Sequence, residues 1–148
     1  MDKKGFTLIE LILVIGIIGV ILAFAIPNVT TTLEKNKKDQ MIADAKDMAE
    51  KAKNYILIKG CTADTADNKL DLNSLDTNKE IKDSPYGGEY DRKGSYVSVD
   101  CDNNKYSIFL TSNNVTLFDS GASSVSNPLP VELSKLNSDK KYDYIKVN

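Results

Sequence analysis

Apolar residues run without interruption from Leu11 to Ile26, and between Phe6 and Ile26 the only charged side chain is Glu10. Those 21 residues would extend about 31 Å as an α-helix, enough to cross a hydrocarbon core. A membrane-spanning helix is therefore predicted, preceded by a short polar stretch that carries Lys3 and Lys4. Past Pro27 the pattern changes. Met41, Ala45, Met48, Ala52 and Tyr55 recur at helical spacing, with Ile42, Ala49 and Ile56 beside them, so one face of a second helical segment is meant for burial. Its other face carries Glu34 four residues before Lys38 and Asp47 four before Lys51, a spacing that supports an exposed helix. Gly60 ends the pattern as a C-terminal cap. One nearly continuous helix from Phe6 to Lys59 follows, about 54 residues and on the order of 80 Å long. Part of such a helix must lie in lipid or against other subunits.

After Gly60 the chain is mixed and rich in turn residues. Cys61 to Ser84 reads as a polar loop with a short helical turn near Asn73 to Thr77. Ser95 to Asp100, Lys105 to Leu110 and Val115 to Asp119 are short β-rich runs joined by Asp102-Asn103-Asn104 and Ser112-Asn113-Asn114, the pattern of an antiparallel meander. Tyr142 to Val147 adds a last strand after Pro128 and Pro130. The fold class is α+β: a long N-terminal helix whose second half packs across an antiparallel sheet of about four strands, with the loop after the helix and the C-terminal tail exposed. The expected divisions are residues 1–5, a basic leader; 6–27, the apolar helix; 28–59, its amphipathic continuation; and 60–148, the globular part.

Composition narrows the functions. With 148 residues, one modest core plus an appendage is the expected organisation. Nineteen basic and 21 acidic residues leave a formal net charge of −2, which gives no electrostatic footprint for nucleic acid. Histidine is absent, so Ser-His-Asp and Cys-His catalysis cannot be assembled from this chain alone. No catalytic residue, metal site or cofactor is expected. Cys61 and Cys101 are too far apart for a C-x-x-C motif, which leaves a disulfide or two buried thiols, decided by the compartment. A bridge would close a loop worth at most about 4 kcal/mol of chain entropy.

The junction Lys3-Lys4-Gly5-Phe6-Thr7-Leu8-Ile9-Glu10 resembles that of the type IV pilin family and its related pseudopilins. The shared features are a short basic leader ending in Gly, a Phe that becomes the new N-terminus, a Glu four residues later, and an apolar helix with a proline near its end. The resemblance covers residues 1 to about 59 well, and the remainder as architecture only. It implies cleavage between Gly5 and Phe6 by a membrane-embedded prepilin peptidase, methylation of the freed Phe6 amine, and polymerisation of identical or related subunits into a surface filament. It also implies an assembly machinery at the cytoplasmic membrane, with the leader inside. Adhesion, twitching motility, secretion and DNA uptake all use such filaments.

Glu10 carries its own physical argument, because a carboxylate in a lipid-facing helix is costly unless paired. No Lys or Arg lies between Phe6 and Leu33, so the nearest cation in the apolar layer is the α-amine that cleavage would create on Phe6 of a neighbouring subunit. Gly16 and Gly19 permit close helix contact, and the pilin resemblance adds that the helix between Gly19 and Pro27 loosens within the filament, since Pro27 removes a backbone donor.

Other readings compete. Ala23-Phe24-Ala25 forms an A-x-A site, so a secretory signal peptide would release a soluble binding domain starting at Ile26. Glu10 would interrupt its hydrophobic region. An uncleaved chain would be a membrane-anchored receptor. Asp100-x-Asp102-x-Asn104 copies the first ligands of a calcium loop, but Lys105 and Thr111 stand where Gly and a bidentate Glu are required, so a polar hairpin turn is expected. Asn28 and Asn114 match the N-glycosylation pattern. Asp83-Ser84-Pro85-Tyr86-Gly87-Gly88-Glu89-Tyr90 is similar to a turn of pilins and pseudopilins, with Ser84 inserted, and should place Tyr86 on the core.

Overall fold

The computed structural model describes residues 5–61, 69–81, 83–119 and 128–148, with only the backbone described at 27 and 28. The chain divides into two units, Met1–Asn36 and Lys37–Asn148, and helix α1 (Leu8–Lys59) contributes to both. In the first unit every described side chain from Phe6 to Leu33 is exposed, apolar ones included. The backbone stays helical through Gly16, Gly19 and Pro27.

The second unit is built on six short strands: β1 (Lys69–Asp71), β2 (Tyr96–Asp100), β3 (Lys105–Thr111), β4 (Val115–Leu117), β5 (Val131–Glu132) and β6 (Ile145–Val147). They form one antiparallel sheet in the order β1-β2-β3-β4-β6, with β5 paired to β3. Strand periodicity sends alternate side chains inward. Val97, Val99, Tyr106, Ile108, Leu110, Val115, Leu117, Val131 and Ile145 are buried together with Met41, Ile42, Ala45, Met48, Ala49 and Ala52 of α1. The three alanines allow a close approach of helix to sheet, and the two methionines fill the remaining gaps. Full burial of each large side chain contributes about 1.5–3 kcal/mol.

Polar clips supplement this core. Asp39 Oδ1 accepts from Lys141 Nζ at 2.9 Å and from the Tyr142 hydroxyl at 2.7 Å. Asp44 Oδ2 accepts from the Tyr90 hydroxyl at 2.8 Å. Lys51 reaches Asp76 at 3.4 Å and also pairs with Glu80. At the end of α1 the Gly60 N–H donates to the Ile56 carbonyl at 2.8 Å with φ of +79°, the left-handed cap that glycine allows. Cys61 follows and is bridged to Cys101 in the β2–β3 turn, Cα to Cα 6.2 Å.

Several expectations change in detail. The helix starts at Leu8, not Phe6, because Thr7 caps it. The sheet has six strands where about four were expected: β1 lies in the stretch read as a polar loop, and β5 follows Pro130, and both are too short to show a periodicity of their own. The helical turn near 73–77 is α2 (Leu72–Leu75), capped by Asp71, whose Oδ1 accepts from the Ser74 N–H at 2.7 Å. Neither the post-helix loop nor the tail is simply exposed. Leu70, Leu72, Asp76 and Ile81 are buried, and the tail forms a 3-10 turn (Lys141–Tyr144) and then β6, with Ile145 in the core. Lys51 lies 3.8 Å from Asp47, but its nearer partners are Asp76 and Glu80, so this charge fastens the helix to the segment after β1 instead of lying on a solvated face.

Candidate functional site

Local chemistry at the chain's apolar junction sets the site. Gly5, Phe6 and Thr7 are outside the helix, and Phe6 is 91% exposed. The helix then begins through a reciprocal capping box. The Glu10 N–H donates to Thr7 Oγ1 at 3.3 Å, while the Thr7 N–H and hydroxyl donate to Glu10 Oε2 at 2.9 Å and 2.7 Å. Two backbone donors that a helix start leaves orphaned are thereby satisfied, and the acidic group sits in the first turn, where the helix dipole favours it.

Thr7 is a partner of Glu10 that the expected pairing with the Phe6 amine did not include. The signal was present: Thr7-x-x-Glu10 before an apolar run is the capping-box pattern. Lys3 and Lys4 lie outside the described residues. Gly16 and Gly19 are on the exposed apolar helix, and a Cβ on either would meet nothing within 4 Å. Gly16 opens a shallow notch of about 470 Å³ lined by Ile12, Leu13, Ile17, Val20 and Ile21.

The remaining candidates have structural partners. Asp100 accepts from the Asn103 N–H at 3.1 Å and from Asn103 Nδ2 at 2.8 Å, which holds its carboxyl below the usual range and makes the calcium-like run a hairpin turn. Among the described residues no group of three or more His, Cys, Asp or Glu is arranged to hold a metal. Ser84 belongs to the turn it interrupts: its N–H donates to the Gly88 carbonyl and its carbonyl accepts from Gly87, both at 2.8 Å, and Tyr86 packs against the core. Asn114 Nδ2 donates to the carbonyls of Tyr86 and Gly87, each at 3.1 Å.

Burial shapes two acidic sites. Asp44 is pushed up, chiefly by burial, against the hydrogen bond from Tyr90; burial and the adjacent Asp44 push the Tyr90 phenol far up in turn. Burial would also raise Asp76, but the N–H groups of Ile81 and Glu80 and the Lys51 ammonium outweigh it and hold this carboxyl low. Arg92 completes the cluster, its guanidinium donating to the Asp76 carboxylate at 3.3 Å and to the carbonyls of Ile81 at 3.1 Å, Leu72 at 3.4 Å and Asp76.

A long N-terminal helix with an exposed apolar half, packed by its second half on an antiparallel sheet, is the architecture of a pilin-type subunit, a structural class and not an enzymatic one. The model of the prokaryotic N-terminal methylation motif matches residues 1–26. That motif is diagnostic of type IV pilins and pseudopilins, and this chain carries it together with a disulfide-closed loop. No curated protein and no solved structure matches the chain.

Proposed function

We propose that the chain is the subunit of a type IV pilus, released from its leader between Gly5 and Phe6, methylated on the Phe6 amine, and polymerised through its N-terminal helix into a surface filament that serves adhesion or motility. The observation that carries this reading is the conjunction of the methylation motif over residues 1–26 with a helix whose described apolar side chains are exposed from Leu8 to Leu33. That apolar surface is long enough to cross a membrane. Before assembly it is served by lipid, and in the filament by the same helix of other subunits, so that leaving the bilayer and joining the filament exchange one apolar environment for another.

In this mechanism the prepilin peptidase and inner assembly machinery are the first partners and other copies of the subunit are the last. Glu10 sets subunit register by meeting the Phe6 amine of a neighbour, a cation that exists only after cleavage. Gly16, Gly19 and Pro27 supply close packing and a segment able to loosen when the filament forms. The globular unit forms the outer surface.

A pseudopilin of a secretion or competence system has the same processing and the same helix, and is the second reading within the class. Mass sequencing of the N-terminus in sheared surface material tests the proposal. Methylated Phe6 is the expected first residue; Ile26 would mean a secreted binding domain, and Met1 an uncleaved anchor.

A further inference from the structure

Helix α1 enters the second unit through a grip on two flanks. Lys37 and Asp44 lie within about 20° of one another around the helix axis, and both meet the segment 83–90. Lys37 Nζ stands 5.4 Å from the centre of the Tyr86 ring, and Asp44 Oδ2 accepts from the Tyr90 hydroxyl at 2.8 Å. Asp39 lies about 200° around the axis from Lys37, on the other flank. It meets the C-terminal tail, accepting from Lys141 Nζ at 2.9 Å and from the Tyr142 hydroxyl at 2.7 Å. Between the flanks Met41, Ile42 and Ala45 are buried in the core. The tail is itself tied to the sheet, because the Phe118 N–H donates to the Tyr144 carbonyl at 3.0 Å and β6 pairs with β4. Tyr86, Tyr90 and Tyr142 thus form a collar around the first turns of the buried half, whereas residues 29–36, just before it, are helical with every side chain exposed.

We propose that this collar is a stop: it fixes the helix from residue 37 onward, so that fraying or loosening of the exposed half ends there and does not run into the core. A helix without tertiary support opens residue by residue, and such openings spread until they reach side chains whose contacts they would break. The collar places that limit at Lys37 and Asp39, ahead of Met41, the first fully buried side chain. The globular unit keeps its packing whatever the apolar half does. The stop is a property of the fold and does not depend on the reading of the chain as a pilus subunit.

Amide hydrogen exchange of the full chain in detergent, resolved along α1, tests this. In the wild type slow exchange should begin at residue 37. The triple variant Lys37→Gln, Lys141→Gln, Tyr142→Phe releases the outermost contacts on both flanks and leaves Asp44, Tyr90 and every core side chain in place. Its amides over residues 37–44 should exchange about tenfold faster, the scale of one hydrogen bond to a charged group, while residues 48–52 and the sheet stay at the wild-type rate. Lys53→Gln removes a contact at the far end of the helix, the ammonium 5.8 Å from the Tyr106 ring, and should leave residues 37–44 unchanged. Unchanged exchange over 37–44 in the triple variant overturns the stop. So does an acceleration spread evenly over the helix and the sheet, which is global destabilisation, or a wild-type chain in which 37–44 exchange as fast as 29–36. If the triple variant fails to fold, Asp39→Asn, which keeps both tail donors, takes its place with the same criteria.

Discussion

The Tyr90 hydroxyl donates to Asp44 Oδ2 at 2.8 Å, across 46 positions of sequence, and so fastens the turn-rich segment after residue 83 to the middle of helix α1. Tyr90 is 2% exposed and Asp44 is half-buried, so solvent makes up only part of the bond when one partner is removed. Tyr90→Phe should therefore destabilise the chain by about 1–3 kcal/mol, the cost of leaving a partly buried acceptor unmet. The midpoint of denaturant unfolding in detergent would show it, and an unchanged midpoint would mean that solvent replaces the tyrosine.

Acid should act on half-buried Asp44 and buried Asp76 with opposite sign. The folded-state pKa of Asp44 lies above its unfolded value, so as pH falls towards the ordinary carboxylate range of about 4 the folded state takes up its proton first and gains stability. Asp76 is held low. Its contribution is complete above about pH 4 and is lost as pH falls from there through the lower folded value. Subtracting the stability profile of Asp44→Asn from that of the wild type should leave a curve that rises on acidification, and the same subtraction for Asp76→Asn should leave one that falls. Two curves of the same sign would contradict the environments described for these groups.

Arg92 is the one position where a lysine should fail despite keeping the charge. Its planar fork reaches three backbone carbonyls as well as the Asp76 carboxylate, and a single ammonium cannot span that set. Arg92→Lys should cost about 1–3 kcal/mol, the range for leaving buried acceptors unmet. Calorimetry or a denaturant midpoint reports this directly, and a loss below 1 kcal/mol would place the cluster among ordinary surface pairs.

Reduction should loosen the end of the helix. The Cys61–Cys101 bridge spans a sequence separation of 40 residues, and in the chain-entropy model its loss removes at most about 4 kcal/mol. Under non-reducing conditions the two cysteines should resist alkylation, and after reduction both thiols should react while the unfolding midpoint drops. Alkylation without prior reduction would count against the bridge.

Asn114 should carry no glycan even where a glycosylation apparatus acts on its motif. The side-chain nitrogen that would bear the sugar already donates to two carbonyls of the Tyr86–Gly87 turn. Peptide mapping of exported material should recover the unmodified asparagine, and a modified one would require the turn to open.

Periodicity made the amphipathic half of the helix legible down to individual residues: Met41, Ala45, Met48 and Ala52 are all fully buried. The hairpin strands were legible because they alternate and are bounded by Asn and Asp. Strands β1 and β5 were not, since two or three residues cannot display a period and owe their conformation to neighbours that supply the pairing. The candidate site was visible as residue types around Gly5, Phe6 and Glu10. What escaped was the local hydrogen bonding of Thr7, a match of side chains to backbone donors three residues apart that charge and hydropathy do not display.

The sheet, as described, ends in strands of only three residues, β1 at one side and β6 at the other, and each includes an exposed lysine, Lys69 or Lys146. Short, charged margins are poor templates for main-chain pairing with another molecule. Edge-to-edge pairing between two such globular units is therefore disfavoured at these two margins.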